Sequence, residues 1–351
     1  MSAKVMIGMS GGVDSAVAAF LLKSQGYEVT GVTLKLCGGN ESDLDDAKAV
    51  ADKIGIPHVC VDLSCDFEKL VMDDFVECYK NGGTPNPCVT CNKKIKFGKM
   101  LDIAMEHGMD YIATGHYAMI EKGEDGCVML RKAADETKDQ SYFLYSLDQS
   151  VLKKVIFPLG GFSKQEVRAI AEQHGFINSR KRDSQDICFV PGGDYAEFIE
   201  KYTGESFPTG NFVDKNGVVL GEHSGIIKYT IGQRKGLNVG GHKDSIFVIS
   251  TDIQENIIYV GEGHTHKGLS RNCLRISPEE IHWIRPDLAM TEGEIRRYKV
   301  RVRYRQPLQD ATVIMRANGM YILFDTPQRG ITSGQFAVWY DSDEMIGSGV
   351  I

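Results

Sequence analysis

The sequence predicts an α/β protein: a doubly wound parallel sheet, then a small β-rich central domain and a C-terminal β-barrel. Three observations carry this. The first ~110 residues alternate apolar strands with helical patterns, the order a parallel sheet with crossover helices requires. The opening stretch KVMIGMSGGVDSAVAAFLL, Lys4 to Leu22, passes from a buried strand through a glycine turn into an apolar helix. Near Gly204 the texture changes to short β-type runs punctuated by glycine.

Taken in order, strands are expected at Val5–Met9, Glu28–Leu36, Pro57–Leu63 and Tyr111–Thr114, with helical patterns from Ser15, Leu44, Phe67 and Asn92. Helical signals continue to about Tyr202. In SKQEVRAIAEQHG, Ser163 and Glu166 have capping-box spacing. In GESFPTGNFVDKNGVVLGEH, Asn216-Gly217 reads as a hairpin turn, since both residues tolerate positive φ. The tail supplies strands such as YKVRVRY, GMYILFD and GQFAVWY, suited to a small barrel. The expected domains are 1–203, 204–268 and 269–351.

The chain has 351 residues, 42% hydrophobic and 25% charged, long enough for two or three cores. No apolar run approaches the ~18 residues of a membrane span. The N-terminus enters a strand at once, without a signal segment, so a cytoplasmic protein with no membrane partner is expected.

A net charge of −7 argues against non-specific coating of nucleic acid, but leaves room for a local basic surface. The stretch RRYKVRVRYR, Arg296 to Arg305, carries six cations and no acid. On a strand, Arg297, Lys299, Arg301, Arg303 and Arg305 share one face, and Tyr298, Val300, Val302 and Tyr304 the other. Like charges without acidic partners repel, and a phosphate backbone is their natural counter-charge.

Ser10-Gly11-Gly12-Val13-Asp14-Ser15 joins the first strand to its helix. Such a junction leaves backbone N–H groups unpaired at a positive helix end, which is an anion site. Gly11 and Gly12 permit close approach, and Ser10 and Ser15 offer hydroxyls. Neither the Gly-Lys-Ser/Thr of a Walker loop nor G-x-G-x-x-G occurs. Asp14 and Ser15 can also serve merely as helix-capping residues. The full string after an N-terminal apolar strand resembles the PP-loop of ATP pyrophosphatases, which split ATP between its α and β phosphates. That resemblance makes Asp14 a partner for Mg²⁺ beside the leaving pyrophosphate rather than a cap.

Nine cysteines are scattered along the chain. In NGGTPNPCVTCNKKIKFGKM, Cys88 and Cys91 stand at a helix start, where the dipole and Lys93, Lys94 and Lys96 favour thiolate. No second C-x-x-C exists, which argues against a structural zinc. Cys188, in RKRDSQDICFVPGGDY, has the polar and Pro-Gly-Gly neighbours of a mobile loop. Cys37, Cys60, Cys65, Cys78, Cys127 and Cys273 read as buried spectators.

The strings SGGVDSAVAA, NPCVTCNKKIKFG, ATGHYA, KDQSYFL, SQDICFV, IGQRKGL and SGQFAVWY occur in order over nearly the whole chain. Together they resemble the tRNA-specific 2-thiouridylase family, which replaces O2 of the anticodon wobble uridine with sulfur. The resemblance implies a PP-loop catalytic domain, a small central domain and a tRNA-contacting barrel. It implies ATP with Mg²⁺, tRNA as partner (those for Lys, Glu and Gln) and a persulfide donor such as a cysteine desulfurase or sulfur-relay protein.

By resemblance, Cys188 carries persulfide sulfur and Cys91 is the nucleophile that forms a disulfide with it or helps release hydrosulfide. Gly8, Met9, Ser10, Gly11, Gly12, Val13, Asp14 and Ser15 wrap phosphate, with Leu34 and Gly115 completing the nucleotide site. Asn86, Pro87 and Cys88 meet the target base, His116 nearby tRNA, and Lys138, Asp139 and Gln140 the RNA backbone. Tyr304, Arg305 and Gln335 match further tRNA contacts. Where many relatives have aspartate this chain has Cys88, which leaves the general base unassigned. It also opens a second route: Cys88, Cys91 and Cys188 as ligands to three irons of a [4Fe–4S] cluster whose fourth iron binds sulfide. Another PP-loop ligase, or an RNA-binding scaffold that keeps ATP for structure, are the alternatives that need no Cys91/Cys188 pair.

Overall fold

Burial of an unbroken apolar strand fixes the centre of the first sheet. In the computed structural model, which describes residues 2–38, 41–124, 126–181, 186–190 and 192–351, β1 (Lys4–Gly8) lies between β2 (Glu28–Lys35) and β4 (Tyr111–Ala113). The edges are β3 (His58–Asp62) and β7 (Val155–Ile156), and every pairing is parallel. Parallel neighbours need crossovers. Helix α1 (Val13–Ser24) supplies the first, burying Val13, Ala16, Val17, Ala18, Ala19 and Leu22; α2 (Glu41–Ile54) supplies the next.

The four expected strands are all present. The helices begin two to five residues earlier than expected, at Val13, Glu41, Ser64 and Pro87. Two helical stretches pass through π-helical turns: Ser64–Phe67 continues through Glu68–Met72 into Asp73–Lys80, and Pro87–Cys91 through Asn92–Lys99 into Met100–Glu106.

One stretch read as helical is not. Met119–Lys122 (β5) and Val128–Arg131 (β6) form an antiparallel hairpin, and β6 alternates buried and half-buried residues as a strand should. The hairpin leaves the parallel sheet altogether and joins strands from the far end of the chain.

The central sheet holds β8 (Gly210–Val213), β9 (Val219–His223), β10 (Ile246–Asp252) and β11 (Ile257–Glu262), in the order β10-β11-β8-β9. Its β8–β9 hairpin turns at Asn216-Gly217 as expected. Gly217 has φ +83, and the Asp214 carboxylate accepts from the N–H groups of Asn216 and Val218, each at 2.8 Å.

The tail contributes β12 (Ser270–Ile276), β13 (Ile281–Trp283), β14 (Ile295–Arg301), β15 (Gln309–Arg316), β16 (Gly319–Arg329), β17 (Phe336–Asp341) and β18 (Glu344–Val350). The order is β12-β16-β15-β14-β17-β18-β6-β5, with β13 also paired to β18. The imported hairpin is therefore part of this sheet, through Glu344↔Arg131 and Met345↔Leu130. One core joins Met6, Val32 and Ile112 to Val338, Tyr340 and Met345. Among the described residues, no helix is long and apolar enough to cross a membrane.

Candidate active site

The turn after β1 is laced by its own side chains. The Ser10 N–H donates to Ser15 Oγ at 3.2 Å, and the Ser15 hydroxyl donates to the Gly12 carbonyl at 3.0 Å. Gly11 has φ +70, and a Cβ there would strike the Asp43 backbone, so glycine is required. Over Gly12 the space is open apart from Ser10 Oγ, and Gly12, at the cap position of α1, has no side chain to cap it. An open cradle of N–H groups and hydroxyls at a helix start fits the phosphates of ATP. Gly8 and buried Met9 lead the chain into it, and Met9 N–H is tied to the Val32 carbonyl at 2.7 Å.

Gly115 follows β4 and packs directly on this turn: a Cβ would lie 2.8 Å from Ser15 N and 2.9 Å from Asp14 C. Leu34, near the carboxyl end of β2, packs against both neighbouring cores. The residues expected to bind nucleotide thus gather at the carboxyl edge of the sheet, where open α/β sheets bind ligands.

Asp14 caps nothing. Its carboxylate accepts from the Tyr117 hydroxyl at 2.8 Å and from Lys164 Nζ at 2.7 and 2.8 Å. Lys181 holds Asp43 at 2.7 Å and Asp46 at 2.6 Å and reaches the Gly11 carbonyl at 3.4 Å; Asn178 donates to the same carbonyl at 3.0 Å. Tyr117, Lys164, Asn178 and Lys181 were not among the expected site residues. The Ser163–Glu166 capping box, present as expected, fixes Lys164 at the first position of the Lys164–Gln173 helix but carries no sign of its contact with Asp14.

The thiols stand on the next elements. Cys88 is the second residue of the Pro87–Cys91 helix and Cys91 the last; Cys188 precedes buried Phe189. Each of Cys88 and Cys188 acts electrostatically on a neighbouring thiol of the trio, and the Lys96 charge acts on all three. Cys91 and Cys188 are therefore in one region. The expected thiolate character is revised. Burial outweighs Lys96 and pushes the Cys91 thiol up to about 11, with Cys88 and Cys188 raised for the same reason. Cys91 stands in the second turn of the helical stretch 87–106, just past the N–H groups of the first turn. The residues around Cys188 expected to be a mobile loop fall partly (182–185 and 191) outside the described residues.

The burial expected of the other six cysteines is not found. Cys91 alone of the nine is buried; Cys60, Cys65 and Cys273 are exposed, and Cys37, Cys78 and Cys127 are half-buried. Among the described residues, no group of three or more His, Cys, Asp or Glu is placed to hold a metal ion.

His116 links the two halves. It follows Gly115, its Nδ1 lies 2.8 Å from the Thr114 hydroxyl, and its ring meets Phe97, on the helix beyond Cys91. Burial, with Lys96 adding to it, holds the imidazole well below its usual range, so it is neutral. Asn86 is the residue before the Pro87–Cys91 helix, and Pro87 opens it.

The other expected RNA residues divide. The Lys138 N–H donates to the Asp135 carbonyl at 3.0 Å, and Gln140 Oε1 accepts from the Tyr117 N–H at 3.0 Å. Asp139 faces inward, 4% exposed, accepting from the Ser141 N–H at 3.1 Å and from Arg301 Nη2 at 2.8 Å. The Tyr304 ring packs 4.3 Å from Phe143, and Arg305 is exposed. Gln335 donates to the Thr84 carbonyl at 2.5 Å, in the loop leading to Asn86.

The cationic strand face is also corrected. β14 ends at Arg301, so Arg303 and Arg305 lie beyond it. Its cations have acidic partners supplied by other elements: Arg297 with Asp325 at 2.6 Å, Lys299 with Asp310 at 3.2 Å, Arg301 with Asp139 at 2.8 Å. The Arg303 guanidinium donates to the Gly330 carbonyl at 2.9 Å.

Family models match three consecutive regions: a tRNA methyl transferase HUP domain over residues 3–192, a tRNA methyl transferase PRC-barrel domain over 196–262, and an aminomethyltransferase beta-barrel domain over 272–351. The chain is 42% identical to the tRNA-specific 2-thiouridylase MnmA of Christiangramia forsetii over 392 aligned positions, covering 99% of each chain. The protein of that name from Streptococcus uberis is 43% identical over 361 positions, covering 99% of this chain and 95% of the relative.

Proposed function

This chain belongs to the tRNA-specific 2-thiouridylase family, and from that premise we propose that it is an ATP-dependent tRNA-uridine 2-sulfurtransferase acting on the wobble uridine of Lys, Glu and Gln tRNAs. A uridine C2 carbonyl is a poor electrophile whose oxygen leaves badly. Attack of O2 on the α phosphate of ATP releases pyrophosphate and makes AMP the leaving group. Mg²⁺, when bound with ATP, offsets phosphate charge.

Sulfur follows. The terminal sulfur of a Cys188 persulfide attacks C2 and AMP departs with O2. Cys91 then attacks the Cys188 sulfur of the C2–S–S bridge, forming a Cys91–Cys188 disulfide and leaving sulfur on C2. An external dithiol reduces the disulfide, and a persulfide donor reloads Cys188. Asn86, Pro87 and Cys88 would receive the flipped base, because ring chemistry requires the nucleotide out of its stack.

The observation that carries this reading is the shared field of Cys91, Cys188 and Lys96, joined to the phosphate turn through Phe97, His116 and Gly115. The persulfide route needs only Cys91 and Cys188, whereas a cluster needs Cys88 as a third ligand. The test is Cys188→Ser with ATP, Mg²⁺, persulfide donor and unmodified tRNA, followed by nucleoside and AMP analysis. Loss of 2-thiouridine with AMP still formed is expected. Thiolation at the wild-type rate refutes the route, and a methylated uridine from the wild type would refute thiolation itself. Iron and sulfide determination after anaerobic purification separates the cluster route.

A further inference from the structure

The phosphate turn has no lysine of its own, yet one stands against it. Lys164 is 9% exposed, and its Nζ meets both Asp14 oxygens at 2.7 and 2.8 Å. Asp14 lies in the first turn of α1, directly after the two glycines and Val13. Tyr117 closes the set: its hydroxyl donates to Asp14 at 2.8 Å, and its ring centroid lies 5.8 Å from the Lys164 ammonium. The ammonium is thus held at the first turn of α1, where the glycine turn ends.

A purely structural pin is already present. Asn178 and Lys181 tie the segment beyond the Lys164–Gln173 helix to the Gly11 carbonyl. The Lys164–Asp14 pair is not needed for that tie.

We propose that Lys164 is the phosphate-binding cation of this turn, held by Asp14 until nucleotide arrives, and that Asp14 then exchanges Lys164 for the divalent cation accompanying ATP. The inference rests on the ATP-dependent reading above. In the resting protein the carboxylate neutralises the ammonium. Once a divalent cation takes the carboxylate, the ammonium loses that counter-charge just as phosphate charge comes within reach. When the α–β bond breaks, negative charge grows on the departing pyrophosphate, beside that ammonium. No bond to Lys164 forms or breaks, and no proton moves.

The experiment measures equilibrium binding of Mg·ATP, of inorganic pyrophosphate and of tRNA to the full chain as wild type, Lys164→Met, Lys164→Arg and Asp14→Asn. Lys164→Met is expected to weaken Mg·ATP and pyrophosphate binding by at least about tenfold, with tRNA binding unchanged and Lys164→Arg recovering most of the loss. Asp14→Asn is expected to abolish the tightening of ATP binding that Mg²⁺ produces in the wild type. Mg·ATP binding by Lys164→Met within about twofold of wild type overturns the phosphate role. Retained Mg²⁺ dependence in Asp14→Asn overturns the exchange. If Lys164→Met does not fold, the double variant Asp14→Asn/Lys164→Met, which removes both charges of the pair, carries the pyrophosphate measurement with the same expectation. A wild type that binds Mg·ATP through Lys164 yet forms no 2-thiouridine refutes the thiolation reading while supporting this inference.

Discussion

The phosphate turn and strand β14 meet the same requirement from opposite sides. The turn lacks a cation and receives Lys164 from 150 positions along the chain; β14 has cations in excess and has them matched by Asp325, Asp310 and Asp139. The difference teaches that charge counted along a stretch of sequence does not report the potential there. Cross-strand register decides it in one case, Lys299↔Asp310, and the approach of a helix end in the other.

The largest test of that contrast is at Arg301. Its pair with Asp139 is buried, with side chains 9% and 3% exposed. Arg301→Met should destabilise the protein by about 3–5 kcal/mol, because Asp139 is left buried and unpaired. Denaturant unfolding checks this, and adding Asp139→Leu should recover much of the loss. If the single variant unfolds like wild type, the strand's charges are not internally committed.

At the turn, Gly115→Ala should weaken ATP binding by about 10²-fold, since a Cβ 2.8 Å from Ser15 N displaces the cradle. Calorimetric titration with ATP reads it directly. Normal affinity would show that the turn tolerates movement.

The thiols extend the contrast to burial against charge. Cys91 is raised to about 11, and Lys96 does not offset it. Alkylation of Cys91, followed by peptide mass spectrometry, should therefore climb about tenfold per pH unit past pH 9, where an ordinary thiol levels off. The folded value lies above the unfolded one, so the proton is held longer in the native state. Stability should be full below the unfolded value and fall as pH rises from there toward 11. A plateau near pH 9 would mean that Lys96 wins.

The smallest effect is expected at Arg297, exposed and already paired with Asp325. Arg297→Gln should leave the salt dependence of tRNA binding unchanged, whereas loss of a phosphate contact lowers that slope by about 1.

Much of this was legible beforehand because it is local. The strand–glycine–helix junction, the Ser163–Glu166 cap and the Asn216-Gly217 turn each depend on neighbours within a few residues, and each is present. What could not be read depends on distant partners. Nothing near Asp14 announces Lys164, nothing in RRYKVRVRYR announces its acids, and six cysteines without a motif gave no sign of their exposure. The β5–β6 hairpin was missed for a related reason: its pairing partner on one side is β18, at the other end of the chain.

That hairpin also constrains how the molecule comes into being. A ribosome releases the segment holding Leu130 and Arg131 long before Glu344 and Met345, the residues they pair with. The growing chain must keep a strand edge and its share of the Met6–Val338 core unsealed until synthesis is nearly complete. An early stop codon would therefore not yield a working front half, and separate expression of the two ends should give aggregation unless the missing strands are supplied in trans.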